Sequence, residues 1–418
     1  MKTILIVSGV TEIDRLIKQY VENSQLPNYN YVFLMEFFSE GALPPSLPKN
    51  VYGVRDFSQG STLESVIQAI LNENEISQVI SVDEYSVHIA AKIRRKIGLK
   101  GLQPDQAIKF RDKLAMKQAL AATSIRVPRV FSSQEILSQQ VVFPLVAKPR
   151  SLAGSLGVKV IHTADQLTDL LGTLSKDSFS EEHSFVDMSE QQYQFEEYIQ
   201  GRLFHIDGLV HDSKVLFFKV AEYLGTPLSF LHGEPLGSIT LENSEEWRDF
   251  LDQVVKGLSV PDGAFHLESF KNDRNEPIFL EIAVRMGGGP IYKTSLEVYG
   301  IDLLLSHLQL QMGVTIDYSS TLGKHDQKTS AGWVIFPKDY KGQNKKRVTS
   351  VELPKEGYLS KLFYSEIPRS GHSASGVFSN HCDNLGTFAF QGERSQVLED
   401  IQLMLKGYKV SCDEGECQ

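Results

Sequence analysis

Two glutamates on neighbouring predicted strands are the residues of this chain most suited to chemistry. Residues 265–289 read FHLESFKNDRNEPIFLEIAVRMGGG, a pattern that predicts two short apolar strands joined by a polar turn. Each strand carries one glutamate, Glu268 or Glu281, in an otherwise apolar run. Carboxylates buried side by side repel each other unless a cation lies between them. Hard oxygen ligands of this kind suit Mg²⁺ together with the phosphates of a nucleotide.

An arginine and three glycines follow the second glutamate directly: Arg285, Gly287, Gly288 and Gly289. The planar fork of an arginine fits a carboxylate or a phosphate, and glycines let the backbone approach such a group closely. One alternative is an ordinary surface hairpin with two solvated glutamates. Another is that Arg285 forms a structural salt bridge to one of them.

A lysine followed by a flexible loop is the second candidate segment. Lys148 lies at the end of a predicted strand, and the loop after it contains Ser151, Gly154, Ser155 and Gly157. Backbone amides in such a loop can face phosphate oxygens, and the lysine adds a point charge beside them. A glycine-rich turn between two strands would look similar, and the G-x-x-x-x-G-K-[ST] pattern of a Walker loop is missing.

Residues 195–201, FEEYIQG, form the third candidate segment. Glu196 would accept a hydrogen bond from the exocyclic amine of adenine. The backbone of Glu197, Tyr198 and Ile199 would pair with the edge of the ring. The alternative is a strand end with two solvated glutamates.

Substrate contacts have fewer candidates. Asp83 and Glu84 follow a predicted strand, and ligands of parallel sheets lie at the carboxyl ends of strands. Glu84 is the candidate for contacting a substrate amine, whereas Asp83 fits a helix N-cap better. Either His232 or Glu234, in a predicted loop, would orient or deprotonate an incoming amine, the alternative being that both are merely solvated.

The elements that would position these groups fall into several units. The first hundred residues alternate strand and helix, including a predicted helix over 12–21, which indicates an open parallel sheet. No G-x-G-x-x-G follows the first strand, so a dinucleotide fingerprint is absent. An extended linker at 126–131 leads to a small α/β unit and then to a larger antiparallel sheet that contains the glutamate hairpin. A final β-rich unit begins near residue 330 and ends in a helix over 395–406.

Composition narrows the class of protein. The 418 residues are enough for two to four domains. The chain has 42 Lys and Arg against 52 Asp and Glu, a net charge of −10 that argues against a nucleic-acid partner. No apolar run is long enough for a signal segment or a membrane span. The three cysteines, Cys382, Cys412 and Cys417, indicate neither a disulfide framework nor a zinc site, so a cytoplasmic location and no membrane partner are expected.

In combination, these motifs resemble the ATP-grasp superfamily, specifically carboxylate–amine ligases such as the bacterial L-amino acid ligases that make dipeptides. The resemblance rests on five motifs in order: Lys113, Lys148 with its loop, the Glu-Glu-Tyr-Ile segment, His266-x-Glu268, and Glu281 with Arg285 and its glycines. It implies an ATP-grasp fold of the α/β class, with an N-terminal parallel-sheet domain, a small lid and a C-terminal antiparallel sheet. The implied domains are an N-terminal Rossmann-like domain over 1–110, a linker helix and lid over 111–194, a metal- and nucleotide-binding core over 195–325, and a β-rich subdomain with a tail over 326–418.

The resemblance also implies a mechanism. ATP and one or two Mg²⁺ ions, with Mn²⁺ as a substitute, would be the cofactors. Lys113 and Lys148 would bind phosphates, and Glu268 and Glu281 would hold the metal. Arg285 and Gly288 would stabilise the acyl phosphate and the oxyanion, with Gly287 and Gly289 contacting the substrate. The substrates would be amino acids, and homodimers are common in the superfamily.

Two positions depart from the family pattern. Ala283 replaces a metal-binding asparagine, so a water would complete the site. Leu203 replaces a ribose-binding glutamate, which leaves His205 or Asp207 as the ribose contact, and Lys219, further along the sheet, is expected to face solvent. Two other functions stay open: a ligase for another carboxylate, of the carboxylase or nucleotide-biosynthesis type, and a nucleotide-binding regulator without turnover.

Overall fold

The N-terminal unit is built on a parallel sheet, as predicted. The computed structural model describes residues 1–9, 21, 25–36, 48–58, 60–174, 193–316, 329–338, 347–372, 384–413 and 415–416, so the helix predicted over 12–21 lies almost wholly outside the described residues. Strands β1 (Thr3–Ser8), β2 (Asn30–Glu36), β3 (Val51–Val54) and β4 (Gln78–Ser81) pair in the order β3-β2-β1-β4. All three pairings are parallel. Helices α1 (Gly60–Glu73) and α2 (Ser86–Lys96) cover this sheet with apolar residues.

A short helical segment connects this sheet to the rest of the chain. It comprises α3 (Pro104–Ala107), a 3₁₀ turn (Ile108–Phe110) and α4 (Lys113–Leu120). Asp112 caps α4, because its carboxylate accepts hydrogen bonds from the backbone amides of Leu114 and Ala115 at 2.9 and 3.3 Å. Arg150 donates to the same carboxylate at 3.0 Å, which ties the start of α4 to the loop that follows Lys148.

The lid is a small antiparallel sheet with helices beside it. Helix α5 (Ser133–Leu137) precedes β5 (Leu145–Pro149), and β6 (Lys159–Ile161), α6 (Ala164–Leu174) and β7 (Tyr193–Glu197) follow. The strand order is β6-β5-β7, and a core of apolar side chains lies between sheet and helices. Strand β7 ends at Glu197, so Tyr198 and Ile199 lie beyond the strand.

The largest sheet is antiparallel and has eight strands. They are β8 (Arg202–His211), β9 (Lys214–Leu224), β10 (Leu236–Leu241), β11 (Gly263–Lys271), β12 (Pro277–Ala283), β13 (Ser330–Phe336), β15 (Lys361–Glu366) and β16 (Gly386–Gly392). Their order is β12-β11-β8-β9-β10-β13-β16-β15, so strands from both sides of residue 325 share one sheet. The predicted domain boundaries stay predictions. A smaller sheet contains β14 (Val348–Glu352), β17 (Lys409–Cys412) and β18 (Gly415–Glu416).

Helices pack against the large sheet. They are α7 (Pro227–Leu231), α8 (Glu245–Leu258), α9 (Ile291–Tyr299), α10 (Leu303–Gln311) and α11 (Arg394–Gly407). In α8 the buried residues recur at helical spacing, as Trp247, Leu251, Val254 and Leu258. This helix begins where Ser244 accepts from the amide of Trp247, and it ends at Ser259 in the left-handed conformation.

Two further findings concern the class of protein. Cys412 is disulfide-bonded, which the odd cysteine count did not predict. Within the described residues, no helix combines the length and apolar character needed to cross a bilayer.

Candidate active site

The two glutamates of the hairpin face each other across adjacent strands. Glu268 on β11 and Glu281 on β12 are direct partners in the antiparallel register, so their side chains point to the same face of the sheet. This confirms the predicted arrangement. The side chains are 14% and 32% exposed. Two like charges so placed favour a cation between them, and hard carboxylate oxygens fit Mg²⁺.

Lys113 connects this carboxylate pair to the loop after β5. Its ammonium lies 3.3 Å from Oε2 of Glu281 and donates to the carbonyl oxygen of Leu152 at 2.5 Å. The side chain is 9% exposed. The predicted phosphate lysine, the metal-type carboxylates and the Ser/Gly loop therefore meet in one place.

The Ser/Gly loop has the backbone geometry that its composition predicts. Gly154, Ser155 and Gly157 adopt left-handed φ angles of 64°, 60° and 71°. At Gly157 a side chain would also displace its neighbours, because a Cβ would lie 2.7 Å from Pro149 and 2.9 Å from the hydroxyl of Tyr193. Ser151 is buried, and its carbonyl oxygen accepts from Arg111 at 2.8 Å. The phosphate-binding role of the loop stays a prediction.

A buried ion cluster occupies the space beside β7. The carboxylate of Glu196 contacts Lys148 at 2.5 Å and Lys117 at 3.0 Å, and it accepts from Gln194 at 2.7 Å. Burial alone would raise the pKa of Glu196, but the two ammonium groups outweigh it and lower the pKa. Glu196 is only 2% exposed, and the prediction that its carboxylate binds the adenine amine stays a prediction.

Lys117 was missed by the sequence reasoning. It lies one turn after Lys113 on the same face of α4, a spacing that would have indicated it. Burial lowers the pKa of Lys117 to about 8, although the charge of Glu196 opposes the shift.

The neighbouring residues of the adenine segment face elsewhere. Glu197 accepts from the guanidinium of Arg126 at 2.9 Å and from the backbone amide of Arg129 at 3.2 Å, so it fastens the linker to β7. Tyr198 is 42% exposed, and Ile199 is buried. Both follow the end of β7, where the backbone pairing with adenine stays a prediction.

Arg285 is paired with an acid from the N-terminal unit. Its Nη2 lies 2.7 Å from Glu84 Oε2, and its Nη1 donates to the carbonyl oxygen of Met286 at 2.8 Å. Arg111 contacts the other oxygen of Glu84 at 2.5 Å. Sequence reasoning placed Arg285 and Glu84 in one site but missed Arg111. The alternative of a salt bridge from Arg285 to Glu268 or Glu281 is not what the structure shows.

This trio carries a net positive charge, which suits an anionic ligand. Burial alone would raise the pKa of Glu84, but the charges of Arg111, Arg285 and Lys113 lower it to about 2. Both oxygens of Glu84 are paired with arginines, and the predicted contact with a substrate amine stays a prediction. Asp83 caps α2 as expected, accepting from the amides of Tyr85 and Ser86 at 3.0 Å each.

A fully buried polar hub lies beneath the site. Asp207 accepts from His205 at 2.6 Å, from His266 at 2.8 Å and from Lys219 at 3.4 Å. His205, Asp207 and Lys219 are 0% exposed, so the ribose contacts predicted for the first two do not fit, and the expectation that Lys219 faces solvent is wrong. The physical reason is that Lys219 lies directly opposite Asp207 in the β8–β9 register.

The glycine loop, formed by Gly287, Gly288 and Gly289, packs against this hub. A Cβ at Gly287 would lie 2.5 Å from Oδ1 of Asp207 and 3.0 Å from Nδ1 of His266. Gly289 has a left-handed φ of 56°, and the amide of Ile291 donates to the carbonyl oxygen of Gly288 at 3.2 Å where α9 begins. Close backbone approach therefore explains Gly287, while substrate contact by the three glycines stays a prediction.

The proposed amine-orienting residues are peripheral. His232 and Glu234 are exposed at the end of α7, where both backbone amides donate to the carbonyl oxygen of Ser229. Their predicted role remains a prediction.

The class of protein follows from the fold together with the opposed glutamates, since Lys113 joins Glu281 to the loop after β5. Residues 141–293 match the model of the ATP-grasp domain. The structure of an L-amino acid ligase from Bacillus licheniformis superimposes with a TM-score of 0.71 at 17% identity, covering 98% of both chains. The fold of this chain is therefore the ATP-grasp fold.

Proteins of similar sequence include two ligases that act on amino acids according to their names. An L-arginine-specific L-amino acid ligase of Bacillus subtilis is 26% identical over 272 residues, which cover 63% of this chain and 64% of the relative, just under two thirds of its length. An alanine–anticapsin ligase of Bacillus subtilis strain 168 is 23% identical over 401 residues, covering 87% and 84%. The chain thus combines a match to the ATP-grasp domain over residues 141–293 with amino acid ligases among its relatives at low identity.

Proposed function

We propose that this protein is an ATP-dependent ligase that joins two L-amino acids into a dipeptide through an aminoacyl phosphate. The observation that carries the proposal is the juxtaposition of Glu268, Glu281 and Lys113, with Arg285 following on the same strand end. ATP-grasp proteins in general use ATP with Mg²⁺, and the named ligases among the relatives support amino acids as substrates.

The acidic and the basic residues of the site would have different roles. Glu268 and Glu281 would hold Mg²⁺, which when bound neutralises phosphate charge. Lys113 and the amides of the loop after β5 would bind the phosphates of ATP. Lys148 would add its charge beside them, oriented by Glu196 at 2.5 Å. Phosphoryl transfer needs this positioning and charge neutralisation more than covalent help from the protein.

The acid substrate would be bound by Arg285. One carboxylate oxygen attacks the γ-phosphorus, ADP leaves, and an aminoacyl phosphate results. The amine nitrogen of the second amino acid then attacks the carbonyl carbon, phosphate leaves, and the nitrogen loses a proton. Glu84 and Met286 fix the guanidinium, so Arg285 is preorganised for the oxyanion of that second step. The backbone near Gly288 would approach the same oxyanion.

Within the described residues, no specific contact distinguishes an amino acid from another carboxylate substrate. A ligase of the carboxylase or nucleotide-biosynthesis type would share the fold and the metal site. A regulator without turnover would need neither the opposed glutamates nor the arginine held by Glu84.

The test is release of phosphate from Mg²⁺–ATP with the proteinogenic amino acids, singly and in pairs, with products identified by mass spectrometry. We expect phosphate release together with a dipeptide mass for at least one pair. Glu281→Ala is the negative control, and Glu276→Ala is its match, because Glu276 is exposed on the same hairpin. Phosphate release with another carboxylate but no dipeptide would move the assignment to another ligase, and ATP binding without turnover would move it to a regulator.

A further inference from the structure

One oxygen of Glu268 is already held by a neutral hydrogen-bond donor. The hydroxyl of Tyr223, on β9, donates to Oε1 of Glu268 at 3.0 Å. His266 Nε2 lies 3.8 Å from the same oxygen. Within the described residues, Oε2 of Glu268 accepts no hydrogen bond. The carboxylate is therefore fixed on one side and open on the other.

We infer that Tyr223 is a positioning residue for the metal site, fixing Oε1 of Glu268 so that Oε2 is presented to the cation. This inference rests on the proposed function, because it takes Glu268 as a metal ligand. Groups that orient a ligand without binding the metal are a general feature of metal sites.

The chemistry of the donor suits this role. A lysine or arginine at the same place would cancel the charge that attracts the cation. A phenol hydroxyl orients the carboxylate without adding a positive charge of its own. Lys113, by contrast, lies beside Glu281, the more exposed member of the pair.

Tyr223 is itself held in place. Its ring centroid lies 4.8 Å from that of His205 and 6.4 Å from that of Trp333, which meets it edge-on. His205 is clamped between Asp207 at 2.6 Å and Ser238 at 2.7 Å. The ring of Tyr223 therefore packs against His205, a residue of the buried hub. Its rotation is restricted by His205 on one side and by Trp333 on the other.

The same hub supports the glycine loop. Oδ1 of Asp207 contacts Nδ1 of His266, and both atoms lie against Gly287. The cation ligand and the loop that would approach the oxyanion therefore share one support. The cluster of His205, Asp207 and His266 has ligand spacing for a cation of its own, but the oxygens of Asp207 already accept three donors, among them Lys219.

The experiment measures Mn²⁺ binding to the full chain in the presence of ADP, by electron paramagnetic resonance of free Mn²⁺. Tyr223→Phe removes only the hydroxyl. We expect about tenfold weaker Mn²⁺ binding, the lower end of the effect of such supporting residues. Tyr408→Phe is the matched control, because its hydroxyl also makes a buried hydrogen bond, to Leu385 at 2.6 Å, in the C-terminal unit. This control should change binding by less than about twofold, the limit expected for a site without contact to the metal.

A double-mutant cycle separates positioning from general damage. In a Glu268→Ala background the Tyr223→Phe substitution should have almost no further effect, because the group that it orients is gone. Unchanged Mn²⁺ binding by Tyr223→Phe, or an equal loss in the Glu268→Ala background, would overturn the inference. If Tyr223→Phe does not fold, Ser238→Ala is the second variant. It removes a hydrogen bond to His205 and so loosens the ring against which Tyr223 packs. Weaker Mn²⁺ binding by Ser238→Ala would support the inference, and unchanged binding would overturn it.

This readout is independent of ligation. Mn²⁺–ADP binding requires no amino acid. A wild-type protein that binds Mn²⁺–ADP but forms no dipeptide would therefore refute the proposed function while leaving the test of Tyr223 decisive.

Discussion

The carboxylate of Glu84 should contribute measurably to stability, because it joins the N-terminal unit to the large sheet. It contacts Arg111 at 2.5 Å and Arg285 at 2.7 Å, and its side chain is 14% exposed. Its pKa is lowered from the ordinary 4.5 to about 2. At about 1.4 kcal/mol for each tenfold change in proton affinity, this corresponds to about 3 kcal/mol of stability.

The sign determines the pH window. The folded-state pKa lies below the unfolded-state value, so the stabilisation is fully present above about pH 4.5. It is lost as the pH falls toward 2, and about half remains near pH 3. Glu84→Gln mimics the protonated acid, so its free energy of unfolding should be about 3 kcal/mol below that of the wild type at pH 7. The two proteins should converge at low pH.

The assay is urea unfolding followed by the fluorescence of Trp247 and Trp333, both buried. Glu64→Gln is the matched control, since its partner Lys96 lies at a similar 2.8 Å but both side chains are exposed, which limits the pair to about 1 kcal/mol or less. Equal destabilisation by the two substitutions, or a Glu84→Gln effect independent of pH, would refute the reasoning.

Three further substitutions test the site. Glu281→Ala should lower the rate of ATP-dependent phosphate release at least about 100-fold, since loss of a metal ligand removes several kcal/mol of charge stabilisation. Colorimetric detection of phosphate measures this rate. A rate equal to that of the wild type would show that Glu281 is not a metal ligand. Arg285→Ala should lower the rate constant of dipeptide formation about 10²- to 10³-fold while ADP binding, measured by calorimetry, persists; undiminished turnover would contradict the oxyanion role. Lys117→Met should lower the free energy of unfolding, measured in urea, by about 3 kcal/mol, because Glu196 loses one of its two buried lysine partners. A change as small as that of Glu64→Gln would show that Lys148 alone is enough to stabilise the buried carboxylate of Glu196.

The local parts of the site could be predicted from the sequence. A short polar turn between two apolar strands predicts a hairpin with one glutamate on each strand. The direct opposition of Glu268 and Glu281 depends in addition on a register shift between Glu268 and Ser269, which the spacing does not predict. A loop rich in serine and glycine after β5 was likewise predicted, and its residues Gly154 and Gly157 adopt left-handed φ angles that glycine tolerates. The parallel N-terminal sheet followed from the alternation of strand and helix.

Contacts between distant segments could not be predicted. Glu84 and Arg285 are 201 positions apart, and no periodicity links them. Lys219 reads as a solvated strand residue until the register places Asp207 opposite it. Glu196 was assigned to adenine because its two lysine partners come from a different helix and a different strand.

Helix α4 places a constraint on chain length as well as on residue type. Lys113 reaches Glu281 on the large sheet, while Lys117, one turn later, reaches Glu196 on the lid. One residue inserted between them would rotate Lys117 by about 100° around the helix axis, away from the lid, while Lys113 stayed in place. Insertions and deletions between Lys113 and Lys117 should therefore be far less tolerated than substitutions. The spacing of four residues is what allows α4 to contact the large sheet and the lid sheet at the same time.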